Sequence, residues 1–388
     1  MDRILILLLI VLATDLSSAT PRCEAVFDSP RTFLMVSNQS PNSSSSVENF
    51  FTTQGRDLYY RIDDPTEKVS GREPVVLLHG LGDHSGRLNP LADQLLQKGH
   101  RVIRIDLHGH GRTLDHYLMG GGGLKDPVPL DHQVEDVIQL LLSLRLKSFI
   151  LAGHSYGGGV ASAIASKASS RQISARMKIK KMVLIAPFVM DLRNYYQSGL
   201  LSKEALWDRY LKALGPMKNI RNMVQQGRDF ADAWMMLGLA RMMRLYQKGS
   251  PMGGATIKNV EDHLEAGSER FMRTSYRRYF ELIGKSEGLA EQKGFEETIE
   301  IQVESSIKAT QGISKYSLFS PEFKPWSKTI ETTIIAGTMD GLVPLDLLIK
   351  TKDHLENQGH EINFSKIQSG HLIPQKSPDE VANLISPP

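Results

Sequence analysis

Ile150-Leu-Ala-Gly153-His154-Ser155-Tyr156-Gly157-Gly158-Gly159 is the stretch that decides the fold. An apolar, strand-like run from Ser148 to Ala152 leads into it, and a helix-like segment from Val160 to Ser166 leaves it. Between them lies Gly-x-Ser-x-Gly. That pattern suits a sharp strand-to-helix turn, which holds the serine in strained backbone geometry and leaves no room for side chains at Gly153 or Gly157. The serine oxygen then stands at the edge of a sheet, near a helix N-terminus whose backbone N–H groups favour developing negative charge. Ser155 is the candidate nucleophile.

Strands and helices alternate on both sides of this turn. Phe50 to Ile62 has the pattern of a hairpin meeting at Gly55. Pro74 to His79, Arg101 to Asp106 and Lys181 to Pro187 are short apolar runs of the kind that parallel strands buried on both faces show. Leu88 to Lys98 and Asp131 to Leu144 carry helical patterns. The alternation implies a parallel sheet with helices on both faces. It pauses from about Asp191 to Lys324, where the pattern is mostly helical and includes Trp234-Met235-Met236 and Met242-Met243. It resumes with the strand Glu331 to Gly337, a helix near Leu345 to Leu355, the strand Glu361 to Ile367 and a last helix, Pro378 to Ile385. The expected organisation is therefore a core in two parts, 47–190 and 326–388, with a helical cap inserted at 191–325. Such a cap would rest over the sheet edge that carries Ser155 and shape a substrate pocket. Its methionines suit core filler and a lipid-contacting face equally.

A serine hydroxyl needs a base to take its proton and a third group to orient that base. Twelve histidines compete for the role of base. His154 is expected to face away from the pocket, and His79 and His84 flank a loop better suited to supplying backbone donors. His371, in Ser369-Gly-His371-Leu-Ile-Pro374, follows the last strand and so emerges on the same sheet edge as the elbow. Asp340 follows the preceding strand in Gly337-Thr-Met-Asp340-Gly341. Its rivals are Asp191, better read as a helix cap, and Asp106, better read as holding the His108–Gly111 turn. The order Ser155, Asp340, His371 fits an open sheet of this kind. The two oxyanion donors are expected to be the backbone N–H groups of Tyr156 and Leu81, with Gly80 and Gly82 allowing close approach. This constellation suits acyl transfer.

Composition narrows the alternatives. The net charge is +3, and no basic face interleaved with aromatics stands out, so no nucleic-acid partner is expected. Lys178, Lys180 and Lys181 read as a solvated strand entrance. No His, Cys, Asp or Glu cluster has metal-ligand spacing, and the Gly120–Gly123 tract lacks the Lys-Ser/Thr ending of a phosphate loop, so no cofactor is expected. At the N-terminus, the apolar run Ile4 to Ala13 is shorter than the ~20 residues a membrane span needs. With the small residues Ser17 and Ala19 it reads as a signal peptide, 1–19, directing export to a periplasm or the medium. Asp2 weakens its basic end, which leaves an uncleaved anchor as the alternative. Residues 20–46 are rich in Ser, Pro and Asn and read as a flexible lead-in. Cys23 is the only cysteine, so no internal disulfide forms.

Taken together, His79-Gly-Leu-Gly-Asp-His-Ser-Gly-Arg87, Asp106-Leu-His-Gly-His-Gly-Arg112 and Gly153-His-Ser-Tyr-Gly-Gly158 resemble the α/β-hydrolase superfamily. Within it they look like the monoacylglycerol lipase and lysophospholipase group, which overlaps the serine aminopeptidase-like (S33) family. The resemblance implies an α/β-hydrolase fold with an eight-stranded, mostly parallel sheet, a Ser155-Asp340-His371 triad and a cap that guides acyl chains. The implied substrate is a lipid-like carboxylic ester, met in part through transient contact of the cap with a membrane surface. Tyr156 departs from the methionine common in that group and is expected to reshape the acyl pocket. Two other functions stay open. One is a proline-iminopeptidase-like aminopeptidase, with Glu261, Asp262, Glu265 or Glu269 holding a substrate amine. The other is a non-catalytic binding protein on the same scaffold.

Overall fold

The apolar runs become eight strands of one sheet: β1 (Ser43–Thr53), β2 (Arg56–Pro65), β3 (Val75–Leu78), β4 (Val102–Ile105), β5 (Ser148–His154), β6 (Lys178–Ile185), β7 (Glu331–Gly337) and β8 (Ile362–Ile367). The computed structural model describes residues 42–119, 129–189, 316–320, 323–340, 343 and 345–387, with isolated positions between 273 and 308. The expected leader, the Gly120–Gly123 tract and most of the expected cap lie outside the described residues.

The strand order is β1-β2-β4-β3-β5-β6-β7-β8. The β1–β2 and β2–β4 pairs are antiparallel and every other pair is parallel. The β1–β2 hairpin turns at Gln54 and Gly55, whose φ values of 51° and 72° match the two left-handed positions of a tight hairpin turn. Side chains alternate between two faces. Val76, Leu78, Ile103, Leu151, Met182, Leu184 and Ile334 share one core with α3 (Leu130–Ser143), α4 (Tyr156–Ala168) and α5 (Leu345–Asn357). Val75, Leu77, Val102, Ile150, Val183, Ile185 and Ile335 share the other with α1 (Asn89–Gln97) and α6 (Pro378–Ile385). Burial on both faces explains why β3 and β4 read as continuous apolar runs.

Three elements differ from the sequence reading. β1 begins at Ser43, inside the expected lead-in, because an edge strand with an exposed face accepts serines. Ser44 Oγ donates to the Pro65 carbonyl at 3.0 Å, and Ser46 Oγ donates to Asp63 at 2.5 Å. β6 begins at Lys178, with exposed Lys178 and Lys180 flanking buried Ile179, so the basic run is already strand. A helix unforeseen from the sequence, α2 (Gly111–Met119), follows β4. Thr113 fixes its start by donating to the Asp106 carbonyl at 2.6 Å while accepting from Tyr59 N–H at 2.9 Å.

Arg104, in β4, and Asp63, in β2, are 1 % and 0 % exposed and form an ion pair across the sheet. Arg61 Nε adds a second contact to Asp63 at 2.9 Å. Burial alone would raise the Asp63 pKa. The Arg104 charge and hydrogen bonds from Ser46 and Arg104 outweigh it and leave the carboxyl below its ordinary value. Replacing Arg104 by leucine removes the closer cation and leaves a buried carboxylate with Arg61 as its cationic partner and the Ser46 hydroxyl as a neutral donor. Arg104→Leu is expected to destabilise the fold by about 3 kcal/mol, read from the urea midpoint. A loss below about 1 kcal/mol would show that the pair contributes little.

Candidate active site

Ser155 sits at φ 51°, ψ −116°, a region that non-glycine residues avoid. Its neighbours leave no other arrangement. A Cβ on Gly153 would overlap the Gly157 carbonyl, one on Gly157 would overlap the His79 and Leu78 carbonyls, and one on Gly158 would strike Pro187. Four backbone hydrogen bonds hold the turn: Ser155 N–H donates to the Ile185 carbonyl at 2.9 Å, and the Ser155 carbonyl accepts from the N–H groups of Gly158, Gly159 and Phe188 at 2.9, 3.3 and 2.7 Å. β5 thus ends in a rigid elbow from which α4 departs.

The loops after β7 and β8 bring Asp340 and His371 to the same sheet edge. Thr338 N–H donates to the Ile367 carbonyl at 2.9 Å and Met339 N–H to the Ser369 carbonyl at 3.0 Å, so the two loops are zipped together. Gly337 permits this, since a Cβ there would lie 2.7 Å from the Ser369 and Gly370 carbonyl oxygens. His371 Nε2 lies 2.8 Å from Ser155 Oγ, and its Nδ1 lies 2.8 Å from Asp340 Oδ2. A carboxylate only accepts, so Nδ1 carries the proton and Nε2 is the acceptor facing the serine. Asp340 Oδ1 accepts Val343 N–H at 2.9 Å, which fixes the carboxylate plane. Asp340 and His371 are 5 % and 6 % exposed. The three side chains are therefore in register for proton transfer from Ser155 to His371.

The loop after β3 lies against the elbow. An ideal Cβ on Gly80 would be 3.5 Å from Ser155 Cβ, Leu81 is the next residue of that loop, and Tyr156 is the first residue of α4. His79 buttresses this loop. Its Nε2 accepts Leu107 N–H at 3.0 Å and its Nδ1–H donates to the Gly80 carbonyl at 2.8 Å. Gln375 Nε2 reaches Asp83 at 3.4 Å and ties the loop to the segment after His371. Asp106 holds the neighbouring turn, accepting Ser85 N–H at 2.6 Å and Arg112 N–H at 2.8 Å. That matches the structural role expected of it.

The Tyr156 ring is turned into the protein, towards α3. It is 2 % exposed, and its hydroxyl donates to Gln133 Oε1 of α3 at 2.9 Å. His154, expected to face away from the pocket, is buried and packs on His371, with ring centroids 4.9 Å apart. Asp191, Glu261, Asp262, Glu265 and Glu269 lie outside the described residues.

Residues 70–233 match the family model for serine aminopeptidase, S33. Among curated proteins, the sn-1-specific diacylglycerol lipase ABHD11 of Xenopus tropicalis is 30% identical over 124 residues, 32% of this chain and 35% of that protein. The proline iminopeptidase of Clostridioides difficile (strain 630) is 26% identical over 166 residues, 43% of this chain and 47% of that protein. The matches thus span between a third and a half of these relatives. Among solved structures, a membrane phospholipase A described as a bacterial virulence factor superposes with a TM-score of 0.53 at 16% identity, covering 99% of this chain and 96% of that one. At that identity the likeness is one of fold.

Three buried imidazoles surround the site. Burial pushes His79 down to about 4 and His110 and His154 to about 3, from an ordinary 6.5. The unfolded chain takes up protons at these rings as pH falls below 6.5, while the folded chain refuses them until about 4. Stability therefore rises with pH across this window and falls on acidification, by up to about 1.4 kcal/mol per pH unit for each ring. The urea midpoint is expected to drop steadily from pH 6.5 to 4.5. A midpoint that stays flat over that range would contradict burial of neutral rings.

Proposed function

We infer that the chain is an exported serine hydrolase of the α/β-hydrolase kind that cleaves carboxylic esters of lipid-like substrates through an acyl-enzyme, a reading supported by the serine aminopeptidase, S33 match and by a diacylglycerol lipase relative. The carrying observation is the continuous relay from Ser155 Oγ through His371 to Asp340, with both contacts at 2.8 Å. In the proposed reaction Ser155 Oγ attacks the ester carbonyl while His371 Nε2 takes its proton. The tetrahedral oxyanion is received by the backbone N–H groups of Leu81 and Tyr156. The C–O bond to the alcohol breaks, and His371 returns the proton to the departing oxygen. Water, deprotonated by His371, then releases the acid and frees Ser155.

Preference for an acyl chain rests on two supports. Leu81, in the loop after β3, and Phe188, after β6, are both half-buried and apolar, and Phe188 N–H is bonded to the Ser155 carbonyl at 2.7 Å. A relative named a diacylglycerol lipase aligns with this chain. Monoacylglycerols and lysophospholipids are the substrates we propose, with the cap at 191–325 meeting a membrane surface. Export rests on the Ile4–Ala13 run with Ser17 and Ala19. A second reading, an aminopeptidase, is favoured by the S33 family match and the proline iminopeptidase relative.

Turnover of p-nitrophenyl esters from short to long acyl chains, beside an aminoacyl p-nitroanilide, separates the two. The ester reading expects activity rising with chain length, and a loss on the order of 10⁴-fold or more in Ser155→Ala. Serine-dependent cleavage of the anilide alone would establish the aminopeptidase. No turnover of either, with no fluorophosphonate labelling of Ser155, would reject both.

A further inference from the structure

His154 lies inside the elbow and takes no part in the proton relay, yet it is 2 % exposed and touches the base directly. Its Nε2 is 2.8 Å from the main-chain carbonyl of His371, a residue 217 positions away. A carbonyl only accepts, so Nε2 carries the proton of the neutral ring. The same carbonyl accepts Ile373 N–H at 2.9 Å, and the intervening Leu372 has φ −81°, ψ 51°, an inverse γ-turn. On its other side the ring meets the loop after β3, where a Cβ on Gly80 would be 3.1 Å from Nδ1. That nitrogen has no hydrogen-bond partner among the described residues. The ring is thus wedged between the loop expected to carry an oxyanion donor and the loop that carries the base.

We propose that His154 is a positioning residue: its Nε2–H fixes the His371 carbonyl, and with it the γ-turn that aims the base between Ser155 and Asp340. The inference rests on His371 being that base. A plain packing role needs only a ring of this size. A positioning role needs a donor at the Nε2 location. Glutamine places an amide N–H close to that location, asparagine falls short of it, and leucine fills space without donating.

The test uses the full-length chain with ¹⁵N-labelled histidine. The low-field Nδ1–H proton that bridges His371 and Asp340 is observed by NMR, and ester turnover is measured in parallel. In His154→Leu the bridging signal is expected to disappear, and kcat to fall roughly 10- to 100-fold with little change in KM. In His154→Gln the signal returns and kcat recovers to within about threefold of wild type. A leucine variant that keeps both signal and kcat overturns the proposal. So does a glutamine variant that folds but loses both. If the leucine variant does not fold, asparagine replaces it, and equal behaviour of His154→Asn and His154→Gln counts against the proposal. A wild type that shows the bridging signal but no Ser155-dependent turnover would sink the hydrolase reading, and the NMR comparison would still judge the positioning role.

Discussion

The positive φ at Ser155 is the constraint on which the site depends. Backbone in that region costs on the order of 1–3 kcal/mol for a residue with a side chain. It persists because the Ile185 carbonyl at the end of β6 and the Gly158 and Phe188 N–H groups over-determine it. Those partners are in place only when β5 and β6 pair in register, Gly153 against Leu184 and His154 against Ile185. The strain is therefore held by the sheet. Local relaxation is blocked as well, since the glycines at 153, 157 and 158 are in contact with backbone or with Pro187. The serine oxygen stays where the folded sheet puts it.

Asp340 and His371 reach that oxygen as one unit. Two hydrogen bonds join the loops after β7 and β8, so Asp340 and His371 shift together or not at all. Their alignment with the elbow draws on the Ser155–His371 hydrogen bond and on the packing of His154 beneath His371. Gln375 to Asp83 adds a link from this unit to the loop after β3. A parallel sheet makes such convergence cheap in chain length, because every strand delivers its C-terminal end to one edge.

Much of this was legible in the sequence, and the legible part has a common physical basis. Strands buried on both faces show as apolar runs, and a glycine–serine–glycine turn has few alternative uses. Ser155, Asp340 and His371 stood out because each follows a predicted strand. What stayed hidden depends on partners far away in the chain. Strand β1 begins among serines, whose hydroxyls are satisfied by Asp63 and by carbonyls of β2. The Tyr156 ring turns inward because Gln133 offers an acceptor, and no local pattern announces that pairing. His79 and His154 are two of twelve histidines, and only their hydrogen bonds to Leu107 and His371 distinguish them.

A neutral ring is better suited than a cation to the place His154 occupies. In the acyl transfer proposed above, His371 gains a full positive charge. A permanent charge at 154 would oppose it across a ring separation of 4.9 Å. At that distance, with an effective dielectric near 20, the repulsion is about 3 kcal/mol, more than a hundredfold in rate. Lysine or arginine could donate to the same carbonyl, but each would raise the barrier it helped to organise. Burial holds His154 near 3, and the proximity of His371 pushes the same way. The imidazole therefore supplies a directed donor whose charge is withheld until the pH falls to about 3. Orientation is gained without the Coulombic opposition that a cationic donor would bring.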